Sequence, residues 1–220
     1  YDLVHAFFGF PSGWLCLKTA KKIPYIISLR GSDVPGYNAT LSTEYKILSP
    51  LFKKIWKNAS AVIANSRGLS DLAKKFTPDI DINVIPNGVD NVRFYNNPEP
   101  PNLQNLRLLT VCRLVKRKRI DLIIRAVSFL NNIGCNAKLD IAGDGILKKQ
   151  LKDFAKKIGI THKINFLGAI PHSRIPSVYH CNHIFVLAST HEGMSNAMLQ
   201  AMAAGLPIVT TPCQGTDELI

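Results

Sequence analysis

The chain has 220 residues, 46% of them hydrophobic, and its 27 Lys and Arg against 15 Asp and Glu give a formal net charge of +12. That balance is globular and excludes disordered and fibrous classes. A spanning helix needs about 18 unbroken apolar residues, and stretches such as IFVLA at 184–188 run straight into polar ones.

The first block begins at Tyr1, and Tyr1 to Phe8 already reads as a strand, with its strand-like run at 3–8 and without a leader pattern, so the chain is expected to be cut from a longer one. Further runs rich in β-branched and aromatic residues follow at 25–29, 61–65 and 82–85, with helical periodicity predicted over 42–57 and 67–76. From 87 to 105 the alternation breaks into NGVDNVRFYNNPEPPNLQN, a Pro- and Asn-rich crossing between domains, with the boundary placed near residue 95. Strands resume at 106–112, 137–142, 163–167, 183–188 and 207–210, alternating with helices over 120–131, 146–158 and 195–204. Strand-helix alternation of this kind predicts parallel sheets covered on both faces, here as two Rossmann-like α/β domains, both incomplete, over 1–94 and 95–220.

Residues 1–94 carry 12 basic and 7 acidic side chains and 95–220 carry 15 and 8, so both halves are basic and there is no detachable basic tail. Cys16, Cys112, Cys135, Cys181 and Cys213 are odd in number, scattered and free of C-x-x-C spacing, which argues for a reducing compartment and against a disulfide or zinc framework.

The densest constellation is HIFVLASTHEGMSNAMLQAMAAGLPIVTTPCQGTDELI at 183–220. A strand ends near Ser189, a turn carries Glu192 and Gly193, and a helix opens near Ser195. Peptide N–H groups at such a helix start face the sheet edge where open α/β folds hold phosphates and sugar hydroxyls. Gln200, about two helical turns on, can face the same way. The alternative for Glu192 is an acidic residue placed at a helix's positive end.

The run EGMSNAMLQAMAAGLPIVTT with GxxELI after it resembles the donor-site signature of retaining family-four glycosyltransferases of the GT-B fold. The same order continues through DLVHAFF, VIANS at 62–66, VIPNGVD with Phe94, CRLVKRKRID, IAGDG with Leu147, and INFLGAIP at 164–171. The family's second Glu stands here as Gln200, its Gly before the Arg as Cys112, its Gly after the Lys as Arg119, and a frequent His as Arg30. The opening strands, the Gly-rich acceptor loop and the last helices of the family pattern are expected outside this chain.

The resemblance implies hexosyl transfer from a nucleotide-sugar to a glycan or lipid-linked acceptor, with retention of configuration, no metal and no cofactor. Within Lys116–Arg117–Lys118–Arg119, it implies that Lys118, with Arg113, contacts the leaving diphosphate, while Lys116 and Arg117 are read as solvated. Glu192 with Gly193, Met194 and Ser195 would hold the sugar, and Gln200 the ribose. Gly143 and Gly145, between strand and helix, permit close backbone approach to a nucleotide. IAGDG is not G-x-G-x-x-G, and the acid a nicotinamide cofactor needs falls near Thr161 and Lys163, which argues against that class. His5 and Arg30 match acceptor-side positions beside the family's cleft. His5 equally reads as a core histidine.

Asp79 and Asp81 follow Pro78 in a turn and read as solvated, and His180 and His183 span a helix end and a strand start without converging on a metal. The basic amphipathic run 45–57 packs on its own sheet or lies on a membrane surface. The basic cluster lacks interleaved aromatics, so nucleic acid is not an expected partner. The expected location is cytoplasmic, with peripheral contact at the inner face of a membrane as a further expectation. Competing readings are a catalytically silent nucleotide-sugar-binding protein and an epimerase of the same architecture.

Overall fold

The computed structural model describes residues 1–19, 23–38, 41–95, 103–213 and 215–220. They form two compact units, one of Tyr1–Asn87, Glu192–Met194 and Gln214–Ile220, the other of Gly88–His191 and Ser195–Cys213. The expected boundary near 95 adjoins residues 96–102, which lie outside the described ones.

In the first unit, β1 (Val4–Phe7), β2 (Tyr25–Leu29), β3 (Ala61–Ala64) and β4 (Ile82–Val84) pair in that order, all parallel. They are joined through α1 (Ser12–Thr19), α2 (Ser42–Lys57) and α3 (Arg67–Phe76). The central strand β2 reads YIISL with four of its five residues buried, as a parallel strand covered on both faces requires. Helix α2 turns Tyr45, Phe52, Ile55 and Trp56 into this core, and Lys46, Lys53, Lys54 and Lys57 outward. Its apolar face is therefore spent on its own sheet, although Ile47 is exposed. Pro50 lies inside α2, which continues through it.

In the second unit, β5 (Leu106–Val111), β6 (Ala137–Ala142), β7 (Ile164–Gly168), β8 (Ile184–Leu187) and β9 (Ile208–Thr210) form a parallel sheet in the order β7-β6-β5-β8-β9. Helices α4 (Ile120–Asn132), α5 (Lys148–Lys157), α6 (Ile175–His180) and α7 (Asn196–Ala203) cover it. Ile120, Ile123, Ile124 and Val127 make a buried stripe at helical spacing along α4, and each such side chain contributes about 1.5–3 kcal/mol on burial. The chain builds outward from β5 on one side through β6 and β7, then returns to its other side with β8 and β9. Between β5 and β8 lies the switch point, where open α/β sheets take ligands at the carboxyl ends of their strands. Among the described residues no helix is long and apolar enough to cross a membrane.

Candidate functional site

In the second unit the loop after β5 meets the loop after β6 on one side and, at the switch point, the loop after β8 on the other. After β5 the chain runs through Arg113, which is exposed, into a short 3₁₀ turn, Lys116–Lys118, whose Lys118 is buried. Arg119 follows in the left-handed conformation (φ 45°, ψ 43°), the backbone a glycine adopts freely. This is where the family pattern has its glycine. Here the Arg119 guanidinium closes on Asp121, with Nε–Oδ1 and Nη2–Oδ2 both 3.1 Å. Those hydrogen bonds hold the Asp121 carboxyl below the usual carboxylate range. Thr190, in the loop after β8, donates its N–H to the Arg117 carbonyl at 2.9 Å and ties the two loops together.

Gly143 and Gly145 show a close approach to the unit's own chain. A Cβ on Gly143, at φ 135°, would press into the Cys112 carbonyl oxygen, and one on Gly145 would lie 2.5 Å from the Leu114 carbonyl oxygen. Hydrogen bonds from Cys112 N to Ala142 O (3.0 Å), Leu114 N to Asp144 O (2.9 Å) and Leu147 N to Leu114 O (3.1 Å) draw the loops together. Lys148 Nζ lies 2.6 Å from Asp144 Oδ2 in the same loop.

Helix α7 opens as expected: Ser195 is its N-cap, with its hydroxyl accepting from Met198 N at 3.4 Å. Gln200 is half-buried, and its Oε1 is 3.1 Å from the Tyr179 hydroxyl, which also donates to Ala197 O at 3.0 Å. Tyr179 is fully buried between Phe94 and Phe185, and burial pushes its phenol far up, so it stays a donor. The position 200 side chain thus has a protein partner that the sequence did not reveal.

The remaining candidates gather in the first unit. Glu192, Gly193 and Met194 are all buried there. Gly193 lies against Asn65, so a Cβ would come within 3.2 Å of its Oδ1. Met194 Sδ accepts from Asn87 N at 3.2 Å, and Asn87 Oδ1 accepts from Arg30 Nη1 at 2.6 Å. Arg30 sits over the Phe7 ring at 4.9 Å, and His5 stacks on the same ring with centroids 4.2 Å apart. His5 is exposed among the described residues, with Nε2 2.7 Å from Ser28 Oγ. Behind this cluster Asp33, buried, accepts from the N–H groups of Gly9, Arg30 and Gly31 at 2.7, 2.9 and 2.9 Å. Burial pushes its carboxyl up, against the pull of those three donors.

The discounted residues are accounted for. Asp79 is exposed beside Lys57, at 3.6 Å. His180 ends α6 with Nε2 3.0 Å from Tyr95 O, and His183 Nδ1 accepts from Arg107 N at 3.2 Å, so the pair serves two separate contacts.

Two parallel α/β sheets of this kind define the GT-B fold of glycosyltransferases. The chain superposes on sucrose-phosphate synthase from Thermosynechococcus elongatus with a TM-score of 0.80 at 18% identity, over 99% of this chain and 58% of that one. On Anabaena HepE, solved with UDP and glucose, the TM-score is 0.77 at 20% identity, over 100% and 61%. Residues 92–220, more than half of the chain, match the family Glycosyl transferases group 1, and residues 1–93 match Glycosyltransferase Family 4. The chain belongs to the group 1 glycosyl transferases. A Bacillus subtilis glycosyltransferase named for teichuronic acid biosynthesis, TuaC, is 30% identical over 230 residues, covering 99% of this chain and 55% of that protein. Alpha-monoglucosyldiacylglycerol synthase of Acholeplasma laidlawii is 27% identical over 231 residues, covering 94% and 58%. The chain spans little more than half the length of these relatives.

Proposed function

We propose that the protein moves a hexosyl group from a nucleotide-sugar to a glycan or lipid-linked acceptor with retention of configuration and without a metal. The observation that carries this reading is the Arg113–Lys118 loop, held at the switch point of the second sheet by the Thr190 N–Arg117 O bond. As the bond from the sugar carbon to the phosphate oxygen breaks, negative charge grows on the diphosphate. Arg113 meets it as a planar fork and Lys118 as a point charge, and such fixed cations act mainly on the transition state. Glu192, with the backbone of Gly193, Met194 and Ser195, takes the sugar hydroxyls, and Gln200 the ribose. Acceptor-side contacts fall to His5 and Arg30. HepE binds UDP and glucose, and the relatives' names pair a polysaccharide with a lipid product, which makes UDP-sugars the first donors to try.

The test is a panel of nucleotide-sugars against the full-length protein, read by thermal stabilisation and then by turnover. Arg113→Ala and Lys118→Ala are each expected to lower turnover by roughly 10²-fold or more. Activity within a few-fold of wild type would remove both from the donor site. A second reading, donor binding without turnover, rests on the departures from the family pattern at Cys112, Arg119 and Gln200, and stabilisation with no transfer to any acceptor would select it.

A further inference from the structure

The N-terminus of α3 is capped from two places far apart in the chain. Ser66 Oγ accepts from Leu69 N at 3.2 Å, as a local cap does. The N–H groups of Arg67 and Gly68 instead donate to the two carboxylate oxygens of Glu218, each at 2.8 Å, from 151 and 150 residues away. Ser70 N on Ser66 O at 3.0 Å is the first bond of the helix itself, so the three N–H groups between cap and first bond, of Arg67, Gly68 and Leu69, are all taken. Helix α3 has no acidic residue of its own in that turn. Glu218 sits in a turn closed by Leu219 N to Thr216 O at 2.9 Å. Three residues before it, Gly215, at φ 87°, packs on the carbonyl oxygens of Gly193 and Glu192, the latter 2.6 Å from where a Cβ would stand.

These contacts form one line: α3, Glu218, the 215–220 turn, Gly215, and the Glu192–Gly193 backbone. We propose that Glu218 is a positioning residue, whose carboxylate fastens the turn to α3 so that Gly215 fixes the loop carrying Glu192. Its consequence for the reaction rests on the donor role given to Glu192 above. A cap needed only by α3 is supplied more simply by an acid in the helix's own first turn. The distant carboxylate couples that helix end to a second loop.

The experiment is amide hydrogen exchange, with donor turnover alongside, on full-length E218A, E218Q and S66A. In E218A, exchange at Gly193 and Met194 is expected to rise roughly tenfold or more, with kcat falling by a similar factor and the acceptor KM little changed. Gln keeps one acceptor oxygen in place of two, so E218Q falls between E218A and wild type. S66A loosens the first turn of α3 but leaves exchange at 193–194 as in wild type. Unchanged exchange at 193–194 in E218A, or an equal rise in S66A, overturns the positioning role. If the wild-type protein binds no nucleotide-sugar, the donor reading fails, and the exchange comparison still decides whether Glu218 fixes the loop.

Discussion

Replacing Gly143 by alanine puts a methyl group where the end of β6 passes the end of β5. At φ 135° an L-residue is strained by about 1–3 kcal/mol. The new Cβ would also press into the Cys112 carbonyl oxygen and lie 2.9 Å from its carbon, whereas such carbon–oxygen contacts relax only at about 3.3 Å or beyond. One loop must therefore shift, and the bonds that join them, Cys112 N to Ala142 O (3.0 Å) and Leu114 N to Asp144 O (2.9 Å), stretch or break. Losing one or two of these at about 1 kcal/mol each brings the total to roughly 2–5 kcal/mol. At about 2–4 °C per kcal/mol, the melting temperature of the full-length protein should fall by roughly 4–20 °C. Gly134→Ala is the control. Its φ is 88°, yet nothing lies within 4 Å of the added methyl, so only backbone strain of about 1 kcal/mol applies. Melting curves of the two variants, measured together, separate strain from crowding. If Gly143→Ala melts within a few degrees of Gly134→Ala, the packing of the β6 loop on the β5 loop is not the constraint described.

Gln200→Glu should tighten nucleotide-sugar binding about fivefold by calorimetry, since a charge-assisted bond exceeds a neutral one by about 1 kcal/mol. Equal or weaker binding would mean that position 200 serves Tyr179 rather than ribose. Asp33→Asn leaves one amide oxygen for three N–H donors, turning an NH₂ toward one of them, and should cost about 1–3 kcal/mol in urea denaturation. Asp121, whose folded pKa is depressed by Arg119, contributes stability above its unfolded pKa that is lost as pH falls through the folded value. Asp121→Asn should therefore flatten part of the stability loss below about pH 4, and an unchanged acid slope would count against the Arg119 pairing.

Much of the fold was legible because its elements declare themselves locally. The runs at 25–29 and 137–142 coincide with β2 and β6, and those at 42–57 and 67–76 with α2 and α3. Helix α1, SGWLCLKT, escaped because Gly13 packs on Ile55 and Ile27 rather than contributing to an apolar stripe. Helix α6 has only six residues and a proline in its first turn. Of the site, the cap at Ser195 and the strand-end loops could be read from spacing. The partners could not. Tyr179 reaches Gln200 from another helix, Asn87 links Arg30 to Met194, and Glu218 caps a helix 150 residues earlier. Long-range contacts of this kind leave no local periodicity to detect.

The switch point also sets an order of assembly. β5 pairs with β6 about thirty residues along the chain, Leu106 opposite Ala137, but with β8 only after some seventy-five, Leu108 opposite Ile184. Closing the shorter loop costs less entropy, so the β5-α4-β6-α5-β7 segment is favoured to form first, with β8 and β9 adding later. Until β8 arrives, Leu108 and Leu109 lie along an open strand edge, able to pair with another chain. During synthesis that interval lasts until β8 emerges, so slowing the chain's growth between β7 and β8 should raise the yield of aggregate more than the same delay placed after β9.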